Sequence, residues 1–416
     1  MTTQTSDVLI LGGGIIGLSC AYHLLEAGRS VTILERGTVA CGSSHGNCGT
    51  LTPSHAMPLA APGMISTALR WLFTADAPLR IKPRFDPALL RWLFGFAGHC
   101  NVRDFERAMR LKAPLLLRSR ALIEELVNKE RLDCEFEALG TMNVFRDSAN
   151  FEHSRTLSVA LAELGIGVDV LDAASVLARE PALKPGVVGA LFNPGDAQLR
   201  PDRYAAELER VVRVNGAHVE EHTDVTGINR DGTRISRVAT SKGDFSGHDV
   251  VLALGSWSPQ IGRQLGLRIP IQPGKGYSIT YTRPTLCPRV PLTLKEPGVC
   301  VTAWNSGFRL GSTMEFAGYD TTLNRTRLDA LRRGAAQFLH EPEGSAVIEE
   351  WYGWRPMTPD DLPMLGRAPG VDNLVLATGH GMLGVTLSAV TGLLTREVVI
   401  GEKPSFDLAP FSAARF

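Results

Sequence analysis

The sequence predicts an α/β protein. A Rossmann-like dinucleotide-binding domain is joined to a second, α+β domain containing a mostly antiparallel sheet. Three observations predict this. The stretch DVLILGGGIIGLSCAYHLLEAGRSVTILER reads as strand, turn, helix, strand. The stretch DVVLALGSWSPQIGRQLG is another apolar strand that runs into a glycine turn and a helix. Finally, PIQPGKGYSITYT, VCVTAW and GFRLGSTMEF alternate with the period of antiparallel strands.

The first element is the apolar run Val8 to Leu11, suited to a parallel strand buried on both faces. Gly12, Gly14 and Gly17 follow it as GxGxxG. Gly12 permits the tight turn, Gly14 lets a pyrophosphate approach the backbone, and Gly17 allows close helix-to-strand packing. The N–H groups around Ile16 and the helix dipole then hold the phosphates. The helix ends at Gly28, and Val31 to Leu34 is the second strand. Glu35 lies 18 residues after Gly17, where a carboxylate accepts from ribose hydroxyls. Both strands, the helix and Glu35 are in register, which separates this stretch from an ordinary strand–helix–strand unit with a glycine-rich turn.

Composition narrows the class. The chain has 416 residues, enough for two or three structural units. Apolar residues make up 44% and charged residues 21%. Lys plus Arg number 43 and Asp plus Glu 43, so no bulk charge argues for nucleic acid. The seven cysteines are scattered without a CxxC pair, against a disulfide framework or a zinc site and in keeping with a reducing compartment. MTTQTSD is not a secretory signal, and no apolar run has membrane-spanning length. The expected location is cytoplasmic, with a peripheral contact on the inner face of the cytoplasmic membrane left open.

Residues 64 to 125 read as mostly helical. Trp71, Phe73, Trp92, Phe94 and Phe96 sit there beside Arg70, Arg80, Lys82, Arg84 and Arg91. Such a mixture marks either an interfacial membrane contact or helices packed on the second domain, the reading preferred here. FEALGTMNVFRD reads as a strand pair. HVEEH, at 218 to 222, is no metal motif: in a strand, residues four apart stand about 13 Å apart.

The glycine- and serine-rich segment after Glu35-Arg36 brings a resemblance into view. GGGIIGLSCAYHL, ILER, SSHGNCGTLTP and APGM resemble the glycine oxidase/D-amino-acid oxidase superfamily of flavoproteins, and within it the small-subunit type of FAD-dependent D-amino-acid dehydrogenases. The resemblance spans nearly the whole chain. It implies that Arg36, Ser43, Ser44, Gly46, Asn47, Gly49 and Leu51 lie along an FAD. It also implies that Val225, Ala253, Leu254 and Gly255 pass the nucleotide, and that the antiparallel sheet roofs the flavin. The glycine-rich turn of NLVLATGHGMLGVTLS, with Gly379, Gly381, Met382, Gly384, Val385 and Thr386, returns to the cofactor. A helix starting there would favour negative charge on a reduced ring. The FAD-binding domain is therefore expected to be discontinuous, from residues 1–54, 149–268 and 346–416, with 55–148 and 269–345 forming the substrate domain.

Arg355, in WYGWRPMTPDD, is a guanidinium among aromatic residues. The resemblance implies that it binds a substrate carboxylate; the alternative is a salt bridge to Asp360 or Asp361. Tyr277, His55 and His380 are further candidates. Trp354 stands where related sarcosine oxidases attach flavin to a cysteine, so noncovalent FAD is expected. The implied reaction is hydride transfer from the α-carbon of a D-amino acid, giving an imino acid and then a keto acid, with electrons passing to a quinone or other carrier. An oxygen-using oxidase of glycine or sarcosine type is the alternative. His55 replaces the family's usual tyrosine, and Ala303-Trp304 stand where it carries an arginine. Those departures suggest an apolar or cyclic substrate such as D-proline or cis-4-hydroxy-D-proline.

Overall fold

The computed structural model describes residues 4–71 and 78–416. Phe73 and the side chain of Trp71 lie outside the described residues. The first sheet begins with Gln4–Leu11, whose Val8 to Leu11 are fully buried. It pairs in parallel with Val31–Leu34 on one side and Gly243–Leu252 on the other. His218–Glu220 extends the parallel edge beyond Val31–Leu34. The long strand Gly243–Leu252 shares one end with Arg234–Thr240, antiparallel, and the other with Leu374–Thr378, parallel. Chain from residue 4 and from residue 378 thus lies in one sheet.

Helix Ile15–Glu26 packs against Ser388–Ile400 and Pro201–Val214, and Val102–Glu130 packs in turn on Ser388–Ile400, all in one core. Gly392 makes the first of these crossings close, since a Cβ there would meet Ser19. Val102–Glu130 had been expected on the substrate domain. Its buried residues, Leu115, Leu116 and Ile123 among them, belong instead to the core of the nucleotide-binding helices. Pro87–His99 does pack on the second sheet, through Trp92 against Phe316 and Met357, and leaves Phe94 exposed.

The second sheet runs in the order Val347–Met357, Gln272–Tyr281, Gly307–Phe316, Val299–Trp304, Leu292–Leu294, Thr141–Phe145, Gly189–Asn193, Asp169–Asp172. It is mostly antiparallel. Three of its strands, Asp169–Asp172, Gly189–Asn193 and Val347–Met357, fall within segments expected in the FAD-binding domain; hydrogen-bonding partners far away in sequence draw them across. The 136–147 segment gives one named strand, Thr141–Phe145, not a pair. Helix Arg325–Phe338 covers one face of the sheet with Leu328, Leu331 and Ala335. The other face looks onto the ends of the parallel strands, and the candidate site lies between. Among the described residues, no helix is long and apolar enough to cross a membrane.

Candidate active site

A cavity of ≈ 510 Å³ runs from the first glycine turn to the second sheet. Its wall begins where Gln4–Leu11 ends. Gly12 has φ +107°, and a Cβ there would stand 2.5 Å from the Ala253 carbonyl oxygen. Only glycine suits that turn. Gly14 caps the helix, and Ser44 Oγ accepts from Ile15 N at 2.9 Å. Glu35 closes the second strand; its two carboxylate oxygens accept from Gly13 N and Gly37 N, each at 2.8 Å. Arg36 stacks over Trp257 at 4.3 Å.

Asn47 organises the following loop. Its amide donates to the Ser43 and Ser44 carbonyls, and its oxygen accepts from Gly49 N at 2.9 Å. The loop then lies flat on the second sheet. The carbonyls of Gly46, Asn47 and Cys48 accept in turn from Ser278 Oγ (2.7 Å), Arg309 (2.7 Å) and Thr302 Oγ1 (2.9 Å). Ser43 donates to the Trp354 carbonyl, and Ser256 donates to the same oxygen at 2.9 Å.

Most of the expected residues meet on this wall: Gly12, Gly14, Ile16, Glu35, Arg36, Ser43, Ser44, Gly46, Asn47, Gly49, Val225, Ala253, Leu254, Gly255, His380, Gly381, Met382, Gly384, Val385 and Thr386, with Arg355, His55 and Tyr277. Gly17, Leu51 and Gly379 do not line it. Gly17 packs under Gly12, Leu51 is fully buried, and a Cβ on Gly379 would meet Thr358. They shape the wall from behind. Gly381 does not offer its N–H to the cavity; it donates to the Pro356 carbonyl at 3.1 Å. The helix after this turn begins at Ser388, later than the glycines suggest. Leu387 N nevertheless donates to Leu383 O at 2.8 Å, so the chain is already turning where Gly384, Val385 and Thr386 face the cavity. The first N–H groups of such a turn lack partners within it.

Arg355 lies on the wall in Val347–Met357, opposite Gly274 of the neighbouring strand. It donates to the Thr313 carbonyl at 2.8 Å. A Cβ on Gly276 would stand 2.5 Å from its guanidinium carbon, so glycine makes the space that the side chain fills. Among the described residues no carboxylate pairs with it. Asp361 is taken by Lys112 at 2.6 Å and Asp360 by Arg415 at 2.7 Å, which removes the salt-bridge alternative. The Thr313 carbonyl comes from a bulge: the pairing slips by one between Tyr277–Ser312 and Lys275–Glu315. Ser312 and Thr313 take φ of 111° and 49°, unusual for residues with a Cβ, and strain of this kind gathers at functional sites.

The other candidates differ from expectation. Tyr277 borders the cavity, yet its ring belongs to the core under Arg325–Phe338, and its hydroxyl donates to Glu315 at 2.6 Å. Strand alternation puts it on the face opposite Gly276 and Arg355. His380 is buried and shares a hydrogen bond with Thr391 Oγ1 at 2.9 Å; burial brings its pKa down to about 3. It is a neutral strut between turn and helix. His55 borders the cavity, its surface open to that enclosed space rather than to bulk water. Desolvation there, with Lys295 and Lys112 nearby, pushes its pKa down to about 4. The turn beneath it is held by Asp196, which accepts from Ser54 Oγ and Thr141 Oγ1, each at 2.6 Å. Trp304 is outside the cavity: fully buried, it packs by Gly49 and 5.1 Å from the Arg309 guanidinium. The argument for a cyclic substrate loses its indole.

Sequence reasoning missed Cys48, Cys300, Lys295 and Trp351, all on the wall. Period-two counting from Arg355 along its strand would have found Trp351, which lies across Gly46 and Gly353. Trp354 donates its indole N–H to the Gly318 carbonyl at 3.0 Å and meets Trp257 edge-on.

The wall fits FAD. A glycine turn at a helix start suits the pyrophosphate, Glu35 the ribose, and the Gly384–Thr386 turn the electron-rich ring, all at the carboxyl ends of parallel strands. Comparison with known proteins agrees. The sequence matches the FAD dependent oxidoreductase family (DAO) over residues 7–398. It is 32% identical over 415 residues to a D-amino acid dehydrogenase of Granulibacter bethesdensis, covering 98% of this chain and 99% of that one. It is 33% identical over 416 residues to one from Rhizorhabdus wittichii, covering 98% and 100%. Among solved structures, glycine oxidase from Geobacillus kaustophilus superposes with a TM-score of 0.82 at 26% identity, over 100% of both chains.

Proposed function

This chain belongs to the DAO family of FAD-dependent oxidoreductases, and from that premise we propose that it dehydrogenates D-amino acids, with Arg355 as the carboxylate anchor. The supporting observation is a cation on the cavity wall with no carboxylate partner among the described residues. Guanidinium has five N–H donors, and a bidentate pair with a carboxylate fixes both position and orientation. The Thr313 carbonyl holds one edge of the fork in place.

FAD held by this wall would supply the acceptor for the hydride of the substrate α-carbon. The chain's own residues supply alignment, which is most of what such a transfer needs. Arg355 fixes the carboxylate, Trp351 and the 46–49 loop keep water from the roof, and the turn at Gly384–Thr386 directs backbone N–H groups into the cavity. His55, neutral above its lowered pKa, offers the substrate a hydrogen bond without a charge. The released imine is hydrolysed to a keto acid unless it is cyclic. Flavin is held noncovalently, in keeping with Trp354 in Val347–Met357, and a quinone or carrier takes the electrons. A peripheral membrane contact through exposed Phe85 and Phe94 would bring such an acceptor close.

The test is the visible spectrum of the anaerobic protein with D-alanine, D-proline, cis-4-hydroxy-D-proline and each L-form. The expected result is a flavin spectrum bleached by D-forms and released into solution by acid. Bleaching by L-forms alone, or by none, would overturn the substrate assignment. Rapid peroxide formation in air would overturn the acceptor.

A further inference from the structure

We infer that Cys48 and Cys300 form a reversible dithiol–disulfide site on the wall of the substrate cavity, closed by peroxide. Three positions locate the two sulfurs together. Cys300 is the cross-strand partner of Gly311, and side chains paired in this way stand about 4.5–5.5 Å apart at Cβ. Cys48 Sγ fills the slot over Gly311, 2.5 Å from where a Cβ would be. The Cys48 carbonyl accepts from Thr302, two residues along from Cys300 on the same face. Both thiols are free and both line the cavity.

The surroundings divide the work between them. The hydrogen bond from Cys300 lowers the pKa of Cys48 against the burial that raises it, and the guanidiniums of Arg355 and Arg309 add to the lowering. The same hydrogen bond, with burial, raises that of Cys300. Of the two thiols Cys48 gives up its proton the more readily, and it is the one that attacks. Its sulfur takes one oxygen from hydrogen peroxide, breaking the O–O bond and releasing hydroxide. Cys300 sulfur then displaces hydroxide from the resulting sulfenic acid. In sum, two thiols and one peroxide give one disulfide and two waters. The bond ties the cofactor loop to the roof strand Val299–Trp304 beside Arg355, so oxidation narrows the cavity and lowers turnover.

The experiment oxidises the flavin-loaded protein with hydrogen peroxide, alkylates it, digests it and maps the peptides by mass spectrometry. The expected product is a peptide pair linked through Cys48 and Cys300, reversed by dithiothreitol. Its formation should parallel a fall in kcat/KM of tenfold or more that the reductant restores. In Cys300→Ser, Cys48 should instead be trapped as sulfenic acid by dimedone. Phenylarsine oxide, which bridges adjacent thiols, should shield both from alkylation in the unmodified chain. The inference is overturned if Cys48 and Cys300 stay reduced while exposed Cys41 oxidises, or if either one pairs with another cysteine. The mapping on the unmodified chain decides this even where the Cys300→Ser chain fails to fold.

Discussion

Two cations approach the same turn of chain and end differently. Lys112 comes from helix Val102–Glu130, is 1% exposed, and meets Asp361 at 2.6 Å. Arg355 comes from the strand just before that turn and meets a carbonyl and a cavity. Burying a charge without a counter-charge is costly, so a fold keeps such a group only where something else meets it. Lys112 has its carboxylate built in and serves to join a nucleotide-side helix to the end of the roof strand. Under the proposed function, the carboxylate that completes Arg355 is the substrate's. The difference between the two cations lies in what completes each.

Breaking the internal pair should have the largest effect. Lys112→Met leaves Asp361 buried and unpaired, and should reduce unfolding free energy by about 3–5 kcal/mol, read by urea denaturation. Arg355→Leu should do the reverse. Its stability should hold or rise, while kcat/KM falls by an amount equivalent to about 2–5 kcal/mol, with the flavin spectrum intact. If both variants lost stability alike, the distinction between a structural and a ligand-binding cation would fail.

A buried anion sharpens the contrast. Asp196 is met by hydroxyls and a backbone N–H, and burial raises its pKa from 3.8 to about 6. The unfolded chain gives up this proton first as pH rises. Asp196 therefore adds stability that is full below 3.8 and lost as pH passes through about 6. Relative to the parent, Asp196→Asn should remove a decline of about 3 kcal/mol across that window in thermal or urea unfolding. The smallest effect is expected from Gly276→Ala. Its methyl would press on the Arg355 guanidinium, costing about 1–2 kcal/mol, mainly as a raised KM.

The sequence showed what is contiguous and hid what is assembled. The Gly12–Gly17 turn and Glu35 were legible because one local stretch carries strand, turn, helix and strand. Arg355 was legible as a cation lacking an obvious partner, but Lys112, far away in the chain, had already taken Asp361. The face of Tyr277 could not be read from GKGYS; pairing with Val347–Met357 and Gly307–Phe316 sets it. Trp304 was expected near the site because the resembling dehydrogenases carry an arginine at that point, but the cavity reaches only as far as Cys300 on this strand. Cys48 and Cys300 meet only through Gly311, a residue with no side chain to mark it.

The bulge at Ser312–Thr313 has a consequence for comparing related chains. From Phe308 to Ser312 every residue pairs with Gln272–Tyr281 in one register; at Glu315 that register has moved by one. Deleting a single residue there would remove the bulge, leave Glu315 opposite Lys275, and withdraw the carbonyl that steadies Arg355. A relative one residue shorter at this point would have to rebuild the anchor's support from another part of the chain.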